Sequence, residues 1–428
     1  MQNYSDHYRK VHTSQTLLLN EQSKLLENQG RDIFKFGFGQ SPFPPIPIAI
    51  DHLKDCAGAK DYSAVQGMPM LREHIARFHQ EAEGIDISAD RVVVAPGSKI
   101  LIYTVLTMFE KADILIPAPA WVSYTPQAVL SGHTPIPVNS TFQEKWRVTP
   151  DAIERAIKTK KNSQLPTVLI INFPGNPDGL TYGLNELNNI AEVCRRHHIL
   201  VIADEIYGLL HHQGEHTSFS HVYPEATIVT GGLSKWCGAG GWRLGIAMLP
   251  EKLNGEFKNN LLGIASETYS CTATPIQMAA CAAYQWNENT QTYLFHQRRL
   301  LSFIGNWIAR KLIETGVQVH LPEGGFYLFL DFSRFFEKLH KNGITTSQLF
   351  CEKLLAETGV ALLPGDAFGL AAAFISARMA YVEFNGNDAL AASKMVRNED
   401  LLTEDLLKTV FEKTARGVNI LCSWLNSL

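Results

Sequence analysis

From about residue 90 the chain alternates compact apolar runs with amphipathic stretches. VVVA (92–95), ILI (114–116), VLII (168–171), ILVIA (199–203) and TIVT (227–230) are short and rich in β-branched residues, which predicts buried strands. Between them, LNELNNIAEVCRRHH (184–198) spaces Leu187, Ile190, Ala191 and Val193 at near-helical intervals. This alternation predicts βαβ units and a mainly parallel sheet flanked by helices. The last third reads differently. FIGNWIARKLIETG (303–316) predicts a helix stopped by Gly316, GGFYLFLDF (324–332) a strand, and TSQLFCEKLLAETG (346–359) a second helix. MAYVEF (379–384) predicts another strand, and the residues from 400 onward predict helix. The proline-rich GQSPFPPIPIAI (39–50) predicts an extended arm or loop. The expected fold class is α/β: a large domain over 56–300, and a smaller α+β domain over 301–428 that the N-terminal arm, 1–55, joins.

Bulk properties narrow the function classes. A chain of 428 residues suits two or three domains. With 45% hydrophobic and 19% charged residues it is globular rather than disordered. A formal net charge of −4 gives no sign of a nucleic-acid partner or an acidic-membrane surface. The seven cysteines, at 56, 194, 237, 271, 281, 351 and 422, form no C-x-x-C pair. That pattern predicts free thiols in a reducing compartment, with no disulfide frame and no metal site. MQNYSDHYRKVH lacks the apolar core of a secretion signal, and Pro364 and Asp366 interrupt the apolar run ALLPGDAFGLAAAFISA. The expectation is a cytoplasmic protein.

An open parallel sheet binds ligands beyond the carboxyl ends of its strands. The residue types there are informative. After VVVA comes Pro96-Gly97-Ser98-Lys99, which taken alone reads first as an ordinary helix start capped by Ser98, and also suits a phosphate at a helix N-terminus. After ILI, Trp121 and Tyr124 open the next helix; Trp121 suits stacking on a flat ring or filling the core. After VLII, the loop NFPGNPDG (172–179) is rigid, and Asn176 offers an amide donor. After ILVIA come Asp204, Glu205 and Tyr207; a carboxylate at the end of a buried strand calls for a cation, although Glu205 also suits a salt bridge or a cap. After TIVT comes GGLSKWCGAGGWRLG (231–245), with Lys235 among six glycines and Arg243 close behind. The glycines give a reactive amine room to move, and arginine is a planar, permanent cation suited to phosphate. A planar, phosphorylated, protonatable heteroaromatic aldehyde would use all five strand ends. Pyridoxal phosphate has that chemistry: Lys235 meets its aldehyde as a Schiff base and Asp204 meets its ring nitrogen.

GLSKWCGAGGWRLG, NFPGNPDG, ADEIY and YSAVQGMPMLREHIA (62–76) together resemble the class I/II aminotransferases, the fold-type-I pyridoxal-phosphate enzymes, from about Phe36 to the C-terminal helices. The resemblance implies a transaminase working on an L-amino acid and a 2-oxo acid. It implies that Lys235 is the Schiff-base lysine and proton shuttle, and that Asp204 partners the ring nitrogen. Tyr207 and Asn176 would bond the ring oxygen, and Trp121 would stack on the ring. Gly97, Ser98, Lys99, Ser234 and Arg243 would hold the phosphate. Tyr62 would reach the phosphate of a neighbouring subunit, implying a homodimer. Arg378, with the backbone of Gly39, would grip the substrate α-carboxylate.

One position departs from the family pattern: Gly232 stands where serine is common and donates to phosphate. Substrate preference has a clue too. Dicarboxylate-specific relatives use a second arginine between the signature and the C-terminal domain, whereas no arginine occurs from Leu244 to Gln297, and Thr268 and Tyr269 lie there. A neutral or aromatic amino acid is therefore expected over strict aspartate. The alternative with the same cofactor cage is a lyase that eliminates from C-β or C-γ or closes a ring. A non-catalytic ligand-sensing domain is disfavoured, because the first 35 residues are too few and not strongly basic for an added DNA-binding domain.

Overall fold

The computed structural model describes residues 15–428 of the chain, so MQNYSDHYRKVH lies outside the described residues. Helix α1 (Gln15–Asn28) leads to a two-residue strand β1 (Phe34–Lys35) and to helix α2 (Pro47–Cys56). Proline starts α2 instead of breaking it: Pro47 sits in the first turn, where its missing N–H would have no partner anyway. The irregular arm expected to run to residue 50 therefore stops at Ile46.

The central part runs α3 (Pro69–Glu83), β2 (Val92–Ala95), α4 (Ser98–Thr107), β3 (Asp113–Ala118), α5 (Tyr124–Leu130) and β4 (Thr134–Asn139). It continues through α6 (Pro150–Ile157), β5 (Thr167–Asn172), α7 (Leu184–Arg196), β6 (Leu200–Asp204) and β7 (Thr227–Gly232) to β8 (Gly245–Met248), α8 (Glu256–Thr268) and α9 (Thr274–Ala283). Seven strands form one sheet in the order β2-β8-β7-β6-β5-β3-β4. β8 is antiparallel to both its neighbours, and every other pair is parallel. Alternate residues of each strand feed opposite faces. Val93, Ile114, Val168, Ile202 and Ile228 join one apolar core, while Val94, Leu115, Leu169, Val201 and Val229 join the other. Burial on both faces is why these strands read as unbroken apolar runs.

Two strands of this sheet were not expected. β4, TPIPVN, carries Pro135 and Pro137, which a strand tolerates at a sheet edge, and β4 is the terminal strand. β8, GIAM, is four residues long and hidden behind the glycine-rich loop.

Helix α10 (Glu288–Thr315) begins fifteen residues before the expected helix at 303 and passes through residue 300, the expected domain boundary. Its polar first half masks the periodicity. Asn287 caps its start by accepting the Thr290 N–H, and Gly316 ends it at φ +104°. Beyond it come β9 (Tyr327–Asp331), α11 (Phe336–Lys341), α12 (Ser347–Thr358), β10 (Val360–Ala361), β11 (Leu363–Pro364), β12 (Ser376–Ala380), α13 (Gly386–Lys394) and α14 (Glu412–Ser427). β12 lies between β9 and β11, antiparallel to both. β1 pairs in parallel with β10, which ties the N-terminal segment to the last third. The strand expected at 379–384 is SARMA, three residues earlier, because Ser376 and Arg378 disguise a fully buried strand as polar. The helical tail starts at Glu412, after a short turn at Glu404–Lys408. No described helix is long and apolar enough to cross a membrane.

Candidate active site

Strand register assembles the centre of the site. Asn172 and Asp204 end β5 and β6, and pair side by side with Thr230 of β7 across the three strands. The Asp204 carboxylate, 3% exposed, accepts the Tyr124 hydroxyl at 2.7 Å on Oδ2 and the Thr230 hydroxyl at 3.1 Å on Oδ1. Asn172 Nδ2 donates to the Asp204 carbonyl at 2.6 Å. Desolvation pushes the Asp204 pKa up to about 6, with the two hydroxyl donors and the charge of Lys235 opposing it.

The β7–β8 loop brings Lys235 against the N-terminal arm, where its Nζ donates to the Gly39 carbonyl at 2.9 Å. The Tyr327 hydroxyl donates to the same carbonyl at 3.4 Å and shares a 2.9 Å hydrogen bond with the Tyr207 hydroxyl. Gly39 is required here: a Cβ would stand 2.0 Å from the Tyr327 hydroxyl oxygen. Arg378, 2% exposed, stacks on the Tyr327 ring at 4.7 Å and the Phe368 ring at 5.1 Å. Its Nη1 donates to Asn176 Oδ1 at 3.0 Å and its Nη2 to the Gly37 carbonyl at 2.6 Å, while its Nε has no partner among the described residues. Among the described residues no carboxylate lies within 4.0 Å of this guanidinium. A buried cation without a counter-ion is costly, so the pocket is arranged for an incoming anion.

A second cationic region lies at the start of α4. Gly97, not Ser98, is the N-cap of α4, at φ +102°, and it makes no side-chain cap hydrogen bond. The expectation of a Ser98 cap is therefore corrected: the free N–H groups of the first turn remain available to a ligand. A Cβ on Gly97 would stand 2.3 Å from Arg243 Nη2, so the arginine lies over the glycine backbone. Arg243 is itself left-handed, at φ 54°, and donates to the Gly240 carbonyl at 3.0 Å. Lys99 Nζ lies 5.0 Å from the Trp121 ring centre, and desolvation, then repulsion from Arg243 and Lys235, lowers its pKa. Among the described residues none of Lys99, Lys235 and Arg243 has a carboxylate within 4.0 Å. Ser234 lies half-buried in the same loop as Lys235.

The family model for aminotransferase class I and II matches residues 31–391. The chain belongs to the class I and II aminotransferases. The aspartate aminotransferase of Geobacillus stearothermophilus is 32% identical over 369 residues, 83% of this chain and 89% of that protein. The asparagine–oxo-acid transaminase of Streptococcus mutans is 30% identical over 373 residues, 84% of this chain and 90% of its own length. The aspartate aminotransferase of Thermus thermophilus, solved with maleate, shares the fold at a TM-score of 0.81 over 97% of this chain and all of its own, at 23% identity. These relatives are named as transaminases, and this chain is a pyridoxal-phosphate-dependent aminotransferase acting on amino acids and 2-oxo acids.

The aminotransferase's residues fit that cofactor. A helix start with free N–H groups and cations without counter-ions suit its phosphate, Lys235 offers an amine, and Asp204 offers a buried carboxylate. Gly232 departs from the common serine for a local reason: its φ is +150°, and a Cβ would stand 2.5 Å from the Leu244 carbonyl oxygen. In the single chain, Asn176 engages Arg378 and Tyr207 engages Tyr327. Tyr62 stands apart, 92% exposed. Sequence reasoning missed Tyr327, Thr230 and Gly37, and gave Tyr124 no partner. Tyr327 lies inside the apolar run GGFYLFLDF, and Thr230 meets Asp204 only because β6 and β7 are neighbours.

Proposed function

We propose that the protein moves an amino group from an L-amino acid with a neutral or aromatic side chain to a 2-oxo acid, in preference to strict use of aspartate. The apolar surround of Arg378 carries this reading. The guanidinium rests on Tyr327 and Phe368, with Phe329 packed on Phe368 and Trp146 on Phe329. No arginine in Leu244–Gln297 is present to meet a second carboxylate. The relative named for asparagine supports a neutral donor.

When bound, pyridoxal 5′-phosphate supplies an aldehyde for the amino group and a ring that withdraws electrons from the substrate α-carbon. In this reading Lys235 would hold the aldehyde, and its amine would be the base that takes the substrate α-proton and gives it back. The Gly39 carbonyl steadies its Nζ on one side of the site. Asp204 would keep the ring nitrogen protonated, since a cation beside it would favour the ionised carboxylate that desolvation disfavours. Tyr207 and Asn176 would hold the ring oxygen, and Trp121 would stack on the ring. Gly97, Ser98, Lys99, Ser234 and Arg243 would hold the phosphate, and Tyr62 would reach the phosphate of a second copy in a homodimer. Arg378, with Asn176 and Gly39, grips the α-carboxylate in a two-pronged contact. The seven cysteines, all free, support a cytoplasmic setting.

The test is kcat/KM for phenylalanine, asparagine and aspartate with 2-oxoglutarate as acceptor, with ammonia and thiol release measured alongside. The reading expects phenylalanine or asparagine to match or exceed aspartate. An aspartate advantage of more than about tenfold, equivalent to about 1.4 kcal/mol, overturns it. Arg378→Ala should raise KM for every donor alike, by about 2–5 kcal/mol of lost charged contact.

A further inference from the structure

Strand register sets Tyr327 beside Arg378. β9 and β12 are antiparallel, with Phe329 directly opposite Arg378 and Tyr327 opposite Ala380. Alternate residues of a strand share a face, so Tyr327 is a diagonal neighbour of Arg378, within reach of a long side chain. The guanidinium accordingly stands 4.7 Å from the centre of the Tyr327 ring. Tyr327 is itself firmly held. It is 1% exposed, and the Tyr207 ring packs edge-on against it, with centres 5.5 Å apart and planes at 83°. Its hydroxyl bonds the Tyr207 hydroxyl at 2.9 Å and reaches the Gly39 carbonyl at 3.4 Å, the same carbonyl that accepts Lys235 Nζ. The arm closes on the ring: a Cβ on Gly39 would stand 2.5 Å from Tyr327 Cε1.

Arg378 has few other restraints. Nη1 is held by Asn176 Oδ1 and Nη2 by the Gly37 carbonyl, and the buried Nε has no partner among the described residues. Each Nη has a second hydrogen still to offer. A two-pronged grip on a carboxylate needs the plane of the guanidinium fixed as well as its position. An aromatic face does this without consuming an N–H, and it attracts a desolvated cation. Burial lowers the Arg378 pKa, and Tyr327 and Tyr207 oppose that fall. Phe368, 5.1 Å away, offers a second ring, but one with no hydroxyl to fasten it.

We propose that Tyr327 is a positioning residue for the substrate carboxylate: its ring holds the plane of Arg378, and its hydroxyl fastens that ring to Tyr207 and the arm. The inference rests on the reading of Arg378 as the carboxylate anchor. Ring and hydroxyl have different neighbours, so substitution separates them.

Calorimetry on the holoenzyme with 3-phenylpropanoate and with maleate tests this. One acid carries an apolar group and the other a second carboxylate, so capture is read whichever side chain the site prefers. Tyr327→Phe keeps the ring and should bind within about threefold of wild type, whereas Tyr327→Leu should bind at least about tenfold more weakly, the scale of a desolvated cation–ring contact. Should Tyr327→Leu fold poorly, Tyr327→Met, which fills more of the lost volume, gives the same comparison. Affinity for pyridoxal 5′-phosphate should be the same in Tyr327→Leu and Tyr327→Phe, because a general loosening of the pocket would weaken both ligands together. Carboxylate binding by Tyr327→Leu within about threefold of Tyr327→Phe overturns the proposal, and so does cofactor affinity that falls in step with carboxylate affinity. Arg378→Ala separates the two readings. Wild-type binding in that variant, or no binding of either acid to wild type, defeats the anchor itself. Lost binding there, with Tyr327→Leu equal to Tyr327→Phe, defeats only the role of Tyr327.

Discussion

Asp204 shows how one side chain's surroundings set its chemistry. Held at the end of β6 by Tyr124 and Thr230 and cut off from water, it has a pKa raised to about 6. A folded pKa above the unfolded value stabilises the protein at low pH, and that contribution is lost as pH rises through the folded pKa. Without cofactor, wild type should therefore lose stability relative to Asp204→Asn between about pH 4 and pH 7, by on the order of 3 kcal/mol. Thermal unfolding of both apoproteins at the two ends of that range measures it; a gap that does not move with pH removes the assignment of a strained carboxylate. With cofactor the order reverses in activity, and Asp204→Asn should lose at least about a hundredfold in kcat, about 2.7 kcal/mol. Lys235, Asp204, Asn176 and Arg243 were legible because chemistry-bearing residues at strand ends stand out against apolar runs. Tyr327 was not, because an aromatic inside GGFYLFLDF is indistinguishable from core until Gly39 and Arg378 are seen around it.

At the scale of elements, the start of α4 is built around an absence. Gly97 lies at φ +102° under Arg243, so Gly97→Ala adds both backbone strain and a clash with the guanidinium. It should raise the dissociation constant for pyridoxal 5′-phosphate at least about tenfold, or 1.4 kcal/mol, in a fluorescence titration. Gly132, at φ +83° with open space around it, is the control: Gly132→Ala should cost about 1 kcal/mol of stability and leave cofactor affinity unchanged. Equal loss of affinity in both variants would mean that general strain, not the arginine's position, is responsible. Element types were readable wherever one local rule dominated, as in the runs that became β5, β6 and β7. They were misread where position overrode composition: Pro47 begins a helix, Pro135 and Pro137 sit in an edge strand, and Arg378 lies in a strand with every residue buried.

For the whole molecule, the proposed homodimer turns on Tyr62. It is 92% exposed, with Met70 and Ile48 also open to solvent. If it completes a neighbouring site, sedimentation should give a particle of about twice 47.7 kDa, and Tyr62→Ala should weaken cofactor binding about tenfold while leaving the monomer's fold intact. A fully active monomer would end the dimer proposal.

By itself the sequence determined the alternation of strand and helix, and which residue types stand at the strand ends. Both are encoded locally, in periodicity and in the turn that follows each strand. Only the tertiary structure decided which strand ends are neighbours. The order β2-β8-β7-β6-β5-β3-β4 sets Asn172, Asp204 and Thr230 side by side. The pairing of β12 with β9 and β11, and the path of the arm over Lys235, carry Arg378 to an asparagine 202 residues away. Those pairings depend on burying both faces of a sheet at once, a condition satisfied by the whole chain and invisible in any single stretch of it.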